Sequence, residues 1–145
     1  MSKHVYLVGV DGSEWSERAL ERAVDLAKQT GADLELAFVI GWSILEPVFV
    51  DGGNVVPELK FDEEERAKRE IVDPLVSKYK DSGVNISVEY HWGDAAHILH
   101  KMSKRKHANM VFVGRKGRSR IADLFMGSVA NKLAHTIGVP LVLVP

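Results

Sequence analysis

Cysteine is absent from the 145 residues. That excludes a disulfide scaffold, a thiolate nucleophile and a cysteine-ligated zinc site. No charge of either sign dominates: 19 Lys and Arg stand against 20 Asp and Glu, so no global positive field recruits nucleic acid or an anionic membrane. No apolar run approaches the length that spans a bilayer, and membrane insertion is not expected. Met1-Ser2-Lys3-His4 leads straight into an apolar strand pattern, so no signal peptide is expected and the protein reads as soluble and cytoplasmic. Several catalytic signatures are also missing. There is no G-x-x-x-x-G-K-[ST], no G-x-G-x-x-G after the first strand and no G-x-S-x-G, which disfavours a P-loop ATPase, a nicotinamide dehydrogenase and an α/β-hydrolase.

What is present is 46% hydrophobic and 27% charged, enough for one domain with an ordinary core over residues 1–145. Val5 to Val10 reads as a strand buried on both faces. Ser13 or Asp11 caps the helix that follows, whose stripe of Ala19, Ala23, Leu26 and Ala27, widened by Leu20 and Val24, suits close packing on a sheet; Thr30-Gly31 stops it. Leu34 to Ile40 is the second strand. Residues 41 to 57 form a long connection too apolar for a free linker, suited to covering the core edge, a ligand or a partner. Glu58 to Lys80 follows a helical pattern with Leu59, Ala67, Ile71, Leu75 and Val76 inward, and Pro74 should kink or interrupt it.

Ile86 to Tyr90 alternates like a strand nearer the sheet margin. Asp94 caps a helix running to about Lys106, with Ala95, Ile98, Leu99 and Met102 inward, and His107 falls at its end. Met110 to Val113 is a short buried strand. Residues 114–127 make a glycine- and arginine-rich connection with a short helical turn at 121–125. Ser128 is expected to cap a helix through Ile137, and Leu141 to Val144 closes the order. Five strands alternating with four principal helices predict an α/β fold: a three-layer α/β/α sandwich around a five-stranded, mostly parallel, Rossmann-like sheet.

Ligands in such folds bind beyond the carboxyl ends of the strands, where strand order reverses. Asp11-Gly12-Ser13, Ile40-Gly41 and the segment from Gly114 onward all fall there. The last is the richest. Gly114, Gly117 and Gly127 permit close backbone approach, amides at a helix start suit an anion, and Arg115, Lys116, Arg118 and Arg120 supply positive charge. Residues 101–120 hold eight Lys or Arg and no Asp or Glu. This composition fits a phosphate-bearing ligand; a solvated surface loop with a serine cap is the alternative. Asp11 could accept from a ribose hydroxyl or serve the helix cap. His97 and His100 share a helix face, but no nearby carboxylate pattern completes a metal site. No nucleophile, base and orienting group stand at recognisable spacing, so the residues favour a binder over a turnover enzyme.

Taken in order, Val8-Gly9-Val10-Asp11-Gly12-Ser13, Gly93-Asp94, Val113-Gly114, Gly114-x2-Gly117-x9-Gly127-Ser128 and the Val139 to Val144 ending resemble the universal stress protein family, specifically its ATP-binding branch. The resemblance covers the whole chain. It implies a nucleotide site in which Asp11 meets the ribose or its neighbouring phosphate. Val10 and Val39 border the adenine, with backbone groups of Val39 reading its edge. Val113 and Gly114 pack under the ribose, while Gly117, Gly127, Ser128 and Val129 cradle the phosphates. Mg²⁺ or Mn²⁺ would be held mainly by those phosphates. Relatives often read G-S-H-G-R where this chain has Gly114-Arg115-Lys116-Gly117-Arg118, so Arg115 adds charge beside a retained cradle. The resemblance further implies a cytoplasmic, stress-linked regulator acting as a nucleotide-dependent switch on an unidentified partner protein. A slow ATPase or autophosphorylating enzyme, and a structural stress protein without nucleotide, are the alternatives. A homodimer through strand 141–144 is expected on two grounds: the family resemblance, and the need to protect a short, uncharged, β-forming final strand from uncontrolled pairing.

Overall fold

A computed structural model describes residues 3–40, 57–117 and 125–145, without the side chains of 57–61. The connection expected at 41–57, apart from Pro57, and the helical turn expected at 121–125, apart from Phe125, lie outside the described residues, as do Arg118, Arg120 and the side chain of Leu59. The elements are β1 (Val5–Val10), α1 (Glu14–Thr30), β2 (Asp33–Ile40), α2 (Pro57–Ala67), a π-helical turn (Lys68–Val72), α3 (Asp73–Ser77), β3 (Ile86–Trp92), α4 (Ala95–Arg105), β4 (Met110–Gly114), α5 (Ser128–Thr136) and β5 (Leu141–Val144). All four strand pairings are parallel, in the order β3-β2-β1-β4-β5.

Side-chain alternation divides the core between the two faces of the sheet. Tyr6, Val8 and Val10 face the layer formed by α1, the π turn and α3, with Leu34, Leu36, Phe38, Phe112 and Val144. Leu7, Ala37, Val111 and Val113 face α4 and α5, where Leu99, Met102, Ala130 and Leu133 cover them. The expected three layers follow directly. So does the marginal place of β3, whose residues are half-buried or exposed and which, among the described residues, pairs only with β2.

The long second helix is where the structure departs from the pattern. It begins at Pro57 and is divided by the π turn. Pro74, at the start of α3, has no amide to donate and its ring crowds the carbonyl four residues back. The helix widens just before it: the Asp73 amide reaches Lys68 O, five residues back, instead of Arg69 O. The extra residue in that turn shifts the inward phase, so Val72, which a regular period leaves out, is fully buried beside Leu75. Ala67, Ile71 and Val76 are only partly buried.

Helix ends follow local chemistry. Ser13 caps α1, accepting from the Ser16 amide, and Asp94 caps α4, accepting from the His97 amide. The end of α4 is a Schellman turn: the amides of Ala108 and His107 reach Ser103 O (2.9 Å) and Lys104 O (3.2 Å). His107 occupies the position usually given to glycine, with φ at 52°. Beyond it, α4 is tied to the sheet by charge. Glu89 on β3 accepts from Arg105 at 2.8 Å and meets Lys106 at 3.1 Å and His91 at 3.2 Å. The hydrogen bond from Arg105, helped by Lys106, holds the Glu89 carboxyl down to about 2 against the cost of its partial burial.

One expectation needs correction. Ser128 does not cap α5. Gly127 does, with extended backbone (φ −69°, ψ 163°) and no side-chain cap, and Ser128 is the first helical residue. The Gly127 amide is anchored on Arg115 O at 2.8 Å, which fixes the chain direction one residue earlier than serine's cap preference suggests.

Candidate nucleotide-binding site

Strand order reverses between β1 and β4: β1 is followed in sequence by β2 on one side, while its other neighbour β4 leads to β5. The crevice rule for open α/β sheets places a ligand at the carboxyl ends of these two strands. Register sets Val8 beside Phe112, so the turn after β1 and the loop after β4 leave the sheet side by side.

The first of these is Asp11-Gly12-Ser13. Asp11 is 2% exposed. Its Oδ1 accepts from the Ser13 amide (2.9 Å) and from the Ser13 hydroxyl (2.5 Å), while the Asp11 amide donates to Ser16 Oγ (3.3 Å). Of the two roles open to Asp11 in the sequence, support of the α1 start is visible here. Gly12 turns with φ at +84°, against the side chain of Ile71 from the π turn.

The second wall is the loop after β4. Gly114 pairs with Val144 in the sheet and abuts Trp15 of α1. Arg115 is fixed by its backbone on both sides: its amide donates to Val144 O at 2.7 Å and its carbonyl accepts from Gly127. A Cβ built on Gly127 would lie 3.5 Å from Gly117 N, Lys116 Cα and Arg115 O. Gly117 and Gly127 of the G-x2-G-x9-G pattern are therefore brought together in one small cradle, with Gly114 at the strand end that leads into it. The cradle opens at the N-terminus of α5, whose first amides have no partner within the helix. Ser128 is exposed there and its hydroxyl is not used as the cap.

The sheet residues contribute differently. Val10, Val39 and Val113 are buried, at 0%, 2% and 1% exposure, and Val129 is partly buried against the α4–α5 face. Their side chains belong to the core, so any contact with a ligand would come chiefly from their backbone. Val39 lies on β2, separated from β4 by β1. Two aromatic neighbours of the site carry no local sequence signal: Trp15, packed on Gly114, and Phe125, whose ring lies 4.9 Å from the Arg115 guanidinium. Among the described residues, no three His, Cys, Asp or Glu side chains gather as a metal site, and no helix is long and apolar enough to cross a membrane.

The geometry suits an anion with several oxygens. Glycine backbone can approach it closely, helix amides can bond it, and the Arg115 side chain, with Nε buried and lacking an acceptor among the described residues, adds charge at the rim. The sequence profile of the Universal stress protein family matches residues 1–145. Universal stress protein YxiE of Bacillus subtilis is 31% identical over 142 residues, 95% of this chain and 96% of that protein. Among solved structures, a universal stress protein in complex with cAMP superimposes with a TM-score of 0.69 at 23% identity, over 99% of this chain and 98% of the other. One from Archaeoglobus fulgidus in complex with dAMP gives 0.67 at 16% identity, over 99% and 98%.

Proposed function

This chain belongs to the universal stress protein family, and we propose that within its stress-linked regulatory role it binds ATP and acts as a nucleotide-dependent switch on a partner protein. The observation that carries this reading is the gathering of Gly117, Gly127 and the α5 N-terminus beside the end of β4, at the strand reversal. The adenine nucleotides held by two structural relatives, cAMP and dAMP, support the choice of base. In this reading Gly117, Gly127, Ser128 and Val129 take the phosphates through backbone amides and one hydroxyl. Arg115 adds positive charge. Asp11 serves the ribose or adjoining phosphate, Val113 and Gly114 underlie the sugar, and backbone groups of Val39 with Val10 border the base. Mg²⁺ or Mn²⁺ would be carried mainly by the phosphates, where it offsets their charge.

Regulation rather than rapid turnover is the better fit. Asp11 Oδ1 already accepts two hydrogen bonds from Ser13, and acid–base catalysis needs a carboxylate positioned for a reacting proton. The proposal extends to a cytoplasmic homodimer. Among the described residues β5 pairs only with β4, which leaves one edge for an antiparallel copy of itself, and a groove of about 470 Å³ runs between this strand and α1, lined by Arg22, Leu26, Phe112 and Val142 among others.

Calorimetric titration of Mg²⁺-ATP into folded protein freed of copurified nucleotide tests the core of the reading. Saturable binding is expected. No binding up to millimolar ATP would overturn it. Partner capture with ATP-loaded and nucleotide-free protein tests the switch, which fails if the captured proteins are the same.

A further inference from the structure

We propose that Phe125 is a positioning residue for Arg115, and that the pair sets how strongly the site prefers a nucleotide with several phosphates over a monophosphate. The inference rests on the nucleotide-binding reading above and deepens it.

The two residues stand at opposite ends of the loop that the cradle closes. Arg115 is the first residue after β4, and Phe125 precedes the Gly127 cap of α5 by two positions. The Arg115 amide is bonded to Val144 O and its carbonyl to the Gly127 amide, so the side chain leaves from a backbone fixed both to the sheet and to the cradle. Its guanidinium lies 4.9 Å from the centre of the Phe125 ring, within the range of a cation–π contact. Its Nε is buried yet has no acceptor among the described residues. Buried polar hydrogens normally find partners; one left over on a residue whose backbone carbonyl holds Gly127 is suited to an oxygen that arrives with a ligand.

Phe125 is the complementary oddity. It is 76% exposed, the more exposed of the two large apolar side chains found at the surface among the described residues. An exposed phenylalanine contributes little to a core. Laid against a guanidinium, its face holds the cation without using any of its N–H donors, as a carboxylate would. The donors stay available and the planar group keeps a fixed orientation, which suits the fork geometry that binds phosphate oxygens. A monophosphate can be satisfied by the backbone amides of the cradle. The additional phosphates of ATP bring the extra oxygens and charge that an arginine at the rim would select.

The experiment is a calorimetric comparison of ATP and AMP, with tripolyphosphate as a probe lacking base and sugar. It uses the full chain, Arg115→Gln, Phe125→Leu and Phe125→Trp, each with a melting curve. Arg115→Gln is expected to weaken ATP and tripolyphosphate about tenfold while AMP changes less than about twofold. Phe125→Leu keeps an apolar side chain but removes the aromatic face, and is expected to lower the ATP-to-AMP preference in the same direction by about threefold. Phe125→Trp should restore it. An unchanged preference in Arg115→Gln, or in Phe125→Leu, overturns the inference and leaves nucleotide binding standing. So does a wild-type chain that binds ATP and AMP equally. A wild-type chain that binds neither overturns the nucleotide reading and this inference together. If Arg115→Gln does not fold, the Leu and Trp variants decide the outcome.

Discussion

Trp15 closes on Gly114: a Cβ at residue 114 would sit 2.6 Å from the Trp15 Cβ and 2.8 Å from Lys116 O. The first turn of α1 and the loop after β4 thus meet at a point where only glycine fits. The motif glycine nearest the sheet is required by packing, before any ligand is considered. Gly114→Ala must displace backbone on one side or the other, and a cost of about 1–3 kcal/mol is expected. A lowered urea midpoint with an unchanged slope would show it; an unchanged midpoint would mean that α1 moves aside freely.

Gly127 should behave in the opposite way. Its backbone is extended, a conformation open to any residue, and its Cβ position has neighbours only at ordinary contact distance, 3.5 Å. Gly127→Val is therefore expected to fold, with a melting temperature lowered modestly by the loss of a favourable N-cap residue. Its side chain would occupy the cradle, and ATP affinity should fall at least about tenfold, roughly 1.4 kcal/mol. Calorimetry beside a melting curve reads both effects, and undiminished affinity would place the phosphates elsewhere.

Glu89 ties stability to acidity. Its carboxyl is lowered from 4.5 to about 2 in the folded chain. The unfolded chain therefore takes up the proton first as pH falls. The stabilisation is complete above about pH 4.5 and is lost on descending toward pH 2. Glu89→Gln should cost about 1–2 kcal/mol at neutral pH, and the gap between wild type and variant should close across that acid window. Denaturation series at several pH values would reveal a gap that persists at pH 2, contrary to this account.

His107 offers the reverse experiment. An L-residue with φ at 52° in the glycine position of a Schellman turn carries a conformational cost. His107 is exposed, so little packing is lost with its side chain. His107→Gly should raise stability by about 0.5–1 kcal/mol, read as a higher melting temperature. A fall would show that the imidazole contributes more at the end of α4 than its backbone costs.

Assembly through β5 predicts a wild-type mass of two chains at micromolar concentration. Val142→Lys should yield a folded, ATP-binding monomer, because a charge beside the seam disfavours self-pairing. Light scattering with circular dichroism distinguishes the cases. A wild-type monomer rejects the stable dimer, and a folded dimer that survives deletion of residues 141–145 puts the interface on another surface.

Much of the architecture is legible in local pattern. Apolar, β-branched runs announce strands, and Val5–Val10, nearly all buried, and Leu141–Val144, half-buried except for Val144, match the expected limits. The polar alternation of Ser87 and Glu89 marks an edge. Pro74 announces an interruption but not its form. Whether a helix kinks or gains a residue depends on what it packs against, so the burial of Val72 escapes a regular period. Ser128 suggests a cap one residue too late because serine's preference is local, whereas the Gly127–Arg115 hydrogen bond joins residues across a loop. The same holds for Trp15 on Gly114 and Phe125 on Arg115. The glycine spacing was visible in the sequence; the aromatic partners were not, because no periodicity links them to it.

The strand order also dictates a schedule for self-assembly of the chain. β1 and β2 can meet through α1 after a short excursion, but β1 and β4 join residues more than a hundred positions apart, Tyr6 with Met110. Closing so long a loop costs entropy before any sheet contact repays it. The crevice between those strands, where the phosphates are proposed to sit, can exist only after that late pairing. A nascent chain released before β4 emerges can hold a β1–α1–β2 unit, but it has no cradle. Binding competence should therefore arrive with the last third of the polypeptide rather than grow in proportion to its length.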